Sequence, residues 1–321
     1  MGFTEELGLQ TKIDRTQLTN YLETLLKDIS LEKFASLFIN EFEAIIEYYK
    51  LSNGENTGNK ITLLFNPHRL STIIDGFKYS TYSALKENTN YINGIAREWL
   101  FGRTDFYNIF TKHINHTQLA FDFPPHAMRD YCKQFNLTKN SKILDPCAGW
   151  GSRMIGASVV CNNYTCFDPS TKTYNGLMKL YKWLKGFNNN FEANVYKLPF
   201  EDSKLEKESF DFALTSPPYY NTEKYSDEET NSLNRYNTFE NWVNGFYIPM
   251  IKKTMRALKH KCTFVLNIGS RKYPLNQILM DNFSTIYKIT KLHGKLSASN
   301  GLNKKGEGET FYAIKKDLTN V

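Results

Sequence analysis

At Ile143 a short apolar run passes directly into Asp145-Pro146-Cys147-Ala148-Gly149-Trp150-Gly151-Ser152, and helical periodicity resumes near Arg153. A strand that ends in a glycine-bearing turn and re-enters as a helix is the opening unit of a helix-covered sheet. Its glycines let the backbone come close to a ligand that any side chain would hold off. The alternation continues downstream. Short strands are expected at Tyr164 to Phe167, Asn194 to Tyr196 and Phe210 to Thr215, with helical stretches between them. An amphipathic helix from Trp242 to Lys259 precedes further strands at Cys262 to Ile268, around Ile286 to Leu292, and at Thr310 to Lys315. Such alternation implies an α/β fold with a doubly wound, mostly parallel, Rossmann-like sheet.

Residues 1–115 carry a different pattern. Apolar residues recur at helical spacing through Leu18, Leu22, Leu25 and Leu26, then through Phe34, Leu37, Phe38, Phe42, Ile45 and Ile46, predicting two amphipathic helices between Asp14 and Leu51. Asp28 or Ser30 can cap the second. Ser52 to Asn59 is a polar loop with two glycines, and Pro67 to Phe110 is expected to be helical again. The chain therefore divides into a helical N-terminal region, 1–115, a candidate for substrate recognition, and an α/β domain, 116–321.

At 321 residues and 41% hydrophobic content the chain can bury a large core. Its net charge of +7 is a weak pointer to a polyanionic partner. The five cysteines show no C-x-x-C pair, which argues against a disulfide framework or a zinc site. His113 and His116 have no third ligand nearby and are expected to be turn residues, so no metal is predicted. The stretch from Met1 to Leu9 has no signal-peptide pattern and no long apolar span follows, so a soluble, cytoplasmic protein is expected.

The glycine turn lacks the third glycine of a dinucleotide fingerprint, since Met154 stands there and the next glycine is Gly156. About 20 residues past Gly149, the second strand ends in Phe167-Asp168-Pro169, where a carboxylate accepts hydrogen bonds from ribose hydroxyls. S-adenosylmethionine suits these parts better than a dinucleotide, having a cationic end and no phosphate. Asp145 is expected to face that cationic end, and Glu201 or Asp202, after the third strand, to receive the adenine amino group. Cys147 is expected to be a small turn residue of the cofactor loop rather than a nucleophile.

The fourth strand ends in Thr215-Ser216-Pro217-Pro218-Tyr219. Two prolines fix φ and remove two amide donors, leaving a stiff segment whose carbonyls face the cleft as acceptors. An exocyclic amine is a poor nucleophile because its lone pair is delocalised into the ring. If the Ser216 hydroxyl and the Pro217 carbonyl accept its two hydrogens, the lone pair is aimed at a methyl donor. Tyr219 offers a flat surface for a flipped base, a contact worth about 1–3 kcal/mol.

On these motifs the chain resembles the class I amino-methyltransferases that form N4-methylcytosine or N6-methyladenine in DNA. Asp145 to Gly151 resembles their first motif and Ser216 to Tyr219 their catalytic motif. The segment Phe121-Asp122-Phe123-Pro124-Pro125 is similar to the one that closes over the methionine part of the cofactor, which places Phe123 and Pro124 in the site. Glu309-Thr310-Phe311-Tyr312 is similar to their last strand. The likeness runs from Phe121 to Lys316 and leaves out the N-terminal helices. It implies a DNA partner and admits a cognate restriction endonuclease. Serine in the first catalytic position favours cytosine N4, with adenine N6 second. Acceptors in RNA or on protein glutamine, and a binding module without catalysis, remain the alternatives. A nicotinamide dehydrogenase is disfavoured by Met154, and a cytosine-C5 mechanism by the absence of a suitably placed cysteine.

Two segments are candidates for substrate contact. One is the loop from Asn221 to Trp242, with Lys224, Tyr225, Arg235 and Tyr236, although its acidic run Asp227-Glu228-Glu229 argues against a phosphate clamp. The better candidate for backbone contact is Ser297 to Lys305, preceded by Lys291, His293 and Lys295.

Overall fold

A computed structural model describes residues 14–103, 105–110, 117–269, 272–292 and 310–315. Where two helices are expected between Asp14 and Leu51, three form among the described residues: Arg15–Lys27, Leu31–Ser36 and Glu41–Ser52. Each has its own cap. Asp14 and Asn40 make reciprocal capping boxes with Gln17 and Glu43, and the Ser30 hydroxyl accepts from the Lys33 amide. From Pro67 to Phe110 the chain is less helical than its composition suggests. A 3₁₀ turn at Pro67–Ser71 leads into a two-residue strand, β1 (Ile73–Ile74), before the helices Ala84–Glu87, Thr89–Leu100 and Phe106–Asn108.

The main sheet is formed by β2 (Lys142–Asp145), β3 (Asn163–Phe167), β4 (Glu192–Tyr196), β5 (Phe210–Thr215), β7 (Leu258–Ile268), β8 (Lys288–Leu292) and β9 (Thr310–Lys315). The short β6 (Glu223–Lys224) pairs with β1 instead, antiparallel. Strand order in the sheet is β4-β3-β2-β5-β7-β9-β8. The first five are parallel, and β9 lies antiparallel between β7 and β8. This is the expected doubly wound, mostly parallel α/β fold. β7 begins at Leu258, earlier than expected, because the helix Ile248–Ala257 ends where Leu258 turns extended.

Alternate residues of the strands feed two cores. Ile143, Phe212, Leu214 and Val265 pack on one face of the sheet, whereas Leu144, Ala213, Phe264 and Leu266 pack on the other. The first core runs without a break from Leu22 in the N-terminal helices to Phe311 on β9, so residues on both sides of position 115 share it. Tyr48 and Ser158 hydrogen-bond across this junction at 3.0 Å, and Arg129 donates to the Leu51 carbonyl at 2.9 Å. Among the described residues, no helix is long and apolar enough to cross a membrane. His113, His116, His293, Lys295, the Ser297 to Lys305 segment and Glu309 lie outside the described residues, while Lys291 is exposed on β8.

From β2 the chain winds outward to β4, then returns to place β5 on the other side of β2. That reversal opens a crevice at the carboxyl ends of β2 and β5, where ligands bind in sheets of this kind. The glycine turn follows one of these strands and the Ser-Pro-Pro-Tyr segment the other.

Candidate active site

The two loops are joined beneath the crevice by Asp145, the last residue of β2, which is fully buried. Its Oδ1 accepts from the Thr215 hydroxyl at 2.9 Å, and its Oδ2 accepts from Arg153 Nε at 2.8 Å and from the Tyr164 hydroxyl at 2.6 Å. The Cys147 amide adds a longer bond to Oδ1 at 3.3 Å. Both oxygens are therefore engaged by the protein, and Asp145 is absent from the cavity lining. It is the buried tie between the glycine turn and the end of β5.

The turn itself needs both glycines, for different reasons. Gly149 (φ 55°) lines the cavity with open space where a Cβ would project, so a left-handed backbone is what that position requires. Gly151 (φ 96°) does not line it. A Cβ there would lie 2.5 Å from Leu180 and 2.8 Å from Leu177, so the position expected to bind cofactor instead lets the turn pack on the helix Thr171–Lys185. Gly151→Ala should lower the free energy of unfolding by about 2 kcal/mol or more through strain and overlap. Urea titration of the two chains checks this.

One cavity of about 640 Å³ collects most of the expected site residues. Phe123, Pro124, Cys147, Gly149, Asp168, Pro169, Glu201, Ser216, Pro217, Pro218 and Tyr219 all line it, whereas Gly151, Asp145 and Asp202 do not. Burial, reinforced by the charge of Asp145, pushes the Cys147 thiol well above its ordinary value, which keeps it protonated. Asp168 accepts the Ser170 amide at 3.0 Å and the Gly149 amide as well; burial outweighs both and pushes its carboxyl up to about 7.

The Glu201 and Asp202 alternatives separate clearly. The side chain of Glu201 is 6% exposed at the cavity wall, and its Oε1 accepts from Arg235 at 2.8 Å and Tyr236 at 3.3 Å. Asp202 is half exposed and binds the other arm of Arg235 at 3.0 Å. Arg235 and Tyr236, candidates for substrate contact, are thus turned inward onto the cavity wall. Lys224 is exposed and paired with Asp227 at 2.7 Å.

The acidic run acts as a latch. Glu228 accepts from the amide and the hydroxyl of Thr171, each at 2.9 Å, capping the helix that follows Asp168. Together with the β1–β6 pair and the bond from the Asp75 amide to the Thr222 carbonyl at 3.0 Å, this bond holds the 221–235 loop across the cavity.

At the other end, the Ser216 hydroxyl lies 2.9 Å from the Tyr219 hydroxyl and accepts from Asn267 Nδ2 at 3.2 Å. Tyr219 rests on Gly269, where a Cβ would come within 3.1 Å of its ring. Tyr220, at φ 56° and gripped by Phe239, Trp242 and Tyr273, turns the chain away immediately afterwards. Residues given no role of their own in the sequence expectations are Arg153, Asn267, Trp150 and Asp122. Asp122 accepts from Ser152 at 2.6 Å and Thr62 at 2.7 Å, fastening the Phe123-Pro124 segment to the glycine turn.

Among the described residues lining the cavity, Asp75, Asp122, Asp168, Glu201 and Glu223 are acidic and only Arg153 and Lys272 basic. Both bases are already ion-paired, with Asp145 and Asp75. Asp75, Asp122 and Glu201 are likewise paired, with Lys272, Arg69 and Arg235.

No protein-family model and no curated protein matches the sequence. Among solved structures the chain is similar to a Streptococcus mutans protein assigned as a methyltransferase and solved in complex with SAH. That match has 14% identity, covers 61% of this chain and 99% of that one, and has a TM-score of 0.43. It is also similar to an rRNA methylase from Streptococcus thermophilus, at 11% identity over 62% and 99% of the two chains, with a TM-score of 0.42. A tRNA (m1A58) methyltransferase from Aquifex aeolicus matches at 12% identity over 63% and 72%, with a TM-score of 0.40.

Proposed function

We propose that this chain is an S-adenosylmethionine-dependent methyltransferase whose acceptor is the exocyclic amino group of a flipped base in DNA, cytosine N4 first. One observation carries the proposal: the Ser216 hydroxyl and the Pro217 segment share a single acidic cavity with Gly149 and Asp168 at the sheet's reversal point. S-adenosylmethionine, when bound, supplies an electrophilic methyl group on a sulfonium; the N–C bond forms as the C–S bond breaks and its electron pair returns to sulfur.

The chain's own groups do the rest. Asp168 accepts from the ribose hydroxyls, and Glu201 accepts from the adenine amine. Phe123 and Pro124 cover the methionine part. Ser216 Oγ and the Pro217 carbonyl accept the hydrogens of the target amine, so that its lone pair points at the methyl carbon; the nitrogen's surplus proton leaves to solvent. Tyr219 packs on the extruded base.

The assay is direct. The protein is incubated with labelled S-adenosylmethionine and mixed-sequence DNA, the DNA is digested, and the labelled nucleoside is identified by mass. N4-methylcytosine is expected. N6-methyladenine would reassign the base, and label confined to RNA or protein supplied in parallel would reassign the acceptor. No label above a control lacking the protein sinks the enzyme assignment.

Cofactor affinity should also depend on pH. Ribose hydroxyls donate to ionised Asp168, so binding expels its proton and strengthens as pH rises through about 7. Affinity should increase about tenfold from about pH 6 to about pH 8, and Asp168→Asn should flatten that dependence. Calorimetry at the two pH values decides it.

A further inference from the structure

The register of the sheet pairs Thr215 on β5 with Leu266 on β7, which sets the next residues, Ser216 and Asn267, side by side. Asn267 is 2% exposed in a strand otherwise apolar from Phe264 to Ile268, and its Nδ2 reaches Ser216 Oγ at 3.2 Å. A serine hydroxyl has one hydrogen and two lone pairs. If Asn267 fills one lone pair and the hydrogen goes to the Tyr219 hydroxyl at 2.9 Å, one lone pair is left. Without the amide donor, the Ser216 hydroxyl loses one of the two contacts that fix its rotation, and its hydrogen can turn toward the target, presenting a donor to an amine that must itself donate.

We infer that Asn267 is a positioning residue that fixes the Ser216 hydroxyl as an acceptor for the target amino group, with Tyr219 taking the serine hydrogen. The inference rests on the amino-methyltransferase assignment and adds to it a role for a side chain on another strand.

The test uses the full chain with labelled S-adenosylmethionine and three acceptors: duplex DNA, single-stranded DNA and total RNA. Asn267→Asp exchanges a donor for an acceptor at nearly the same shape, and Asn267→Leu removes the polar group. At about pH 8 both variants should lose roughly 100-fold in kcat on the best acceptor. Their affinity for S-adenosylmethionine should stay within about threefold. As pH falls toward about 6 the Asp variant should regain at least about tenfold relative to the unaltered chain, because a protonated carboxyl again donates to Ser216, whereas the Leu variant should not.

If kcat of the Leu variant stays within about threefold of the unaltered chain, or the Asp and Leu deficits show the same pH dependence, the role of Asn267 is overturned. Should the Asp variant fail to fold, the Leu measurement stands alone, and the first of these outcomes decides. No transfer by the unaltered chain to any acceptor overturns the methyltransferase assignment, and the role of Asn267 with it.

Discussion

Replacing Asp145 by alanine should lower the free energy of unfolding by about 3–5 kcal/mol, the range for breaking a buried ion pair by removing one partner. Asp145 and Arg153 are 0% and 4% exposed, so the guanidinium left behind has almost no water to replace its carboxylate. The loss extends beyond one pair. The buried Tyr164 hydroxyl at 2.6 Å and the Thr215 hydroxyl at 2.9 Å lose the same acceptor. Asp145→Asn keeps the shape and one carbonyl oxygen and should cost less, because Tyr164 or Thr215 still finds a partner. Urea unfolding of the three chains tests this ranking; a loss below about 1 kcal/mol for the alanine variant would mean that Arg153 has found another anion. Because Asp145 ties the glycine turn to the end of β5, the variant should also lose cofactor affinity, although the side chain does not line the cavity.

The buried partners of Asp145 show where the sequence stops being legible. The strand, turn and helix around Gly149 are local, and so is the Pro-Pro stiffening after Thr215; both follow from backbone preferences that neighbouring residues determine. Alternating strands and helices then bring the two loops to the same sheet edge, so the lining roles of Asp168 and Ser216 could be anticipated. Asp145 and Gly151 were harder, because a carboxylate or a glycine in a turn can serve ligand or protein, and the deciding partners are Arg153 and Tyr164 in one case and Leu177 and Leu180 in the other. A clue was present: Arg153 stands in a helix, Ser152–Ser158, whose residues are all buried, and a buried guanidinium demands an anion. Asn267 gave a similar clue as the polar break in an apolar strand. The β1–β6 pair is too short for any period to announce, and the Glu228 latch on Thr171 joins residues far apart in the chain. Arg235, a candidate for substrate contact, turns inward because Glu201 and Asp202 are adjacent in space.

Ser216→Ala should lower kcat by about 10²–10³-fold while leaving affinity for S-adenosylmethionine within about threefold, the pattern of a group whose interaction strengthens only as the reaction proceeds. The hydroxyl lies at the Tyr219 end of the cavity, and the groups expected to hold adenosine, Gly149, Asp168 and Glu201, are untouched by its loss. The stiffness of the loop is also retained, since it comes from Pro217 and Pro218, and the Pro217 carbonyl still accepts one amine hydrogen. A residual rate is therefore expected rather than none. Part of the deficit arises indirectly: Asn267 Nδ2 and the Tyr219 hydroxyl both lose their bond to Ser216 Oγ, and the ring resting on Gly269 is freed to shift. Tyr219→Phe separates the two contributions, because it removes the hydroxyl partner but keeps both the stacking face and the serine. If Ser216 acts by accepting the amine hydrogen, the Phe variant, which keeps the hydroxyl but removes the group that takes its hydrogen, should lose kcat about as much as Asn267→Leu does and less than the Ala variant. If the Phe variant loses at least as much kcat as the Ala variant, Ser216 matters only through Tyr219, and the amine-acceptor role is wrong.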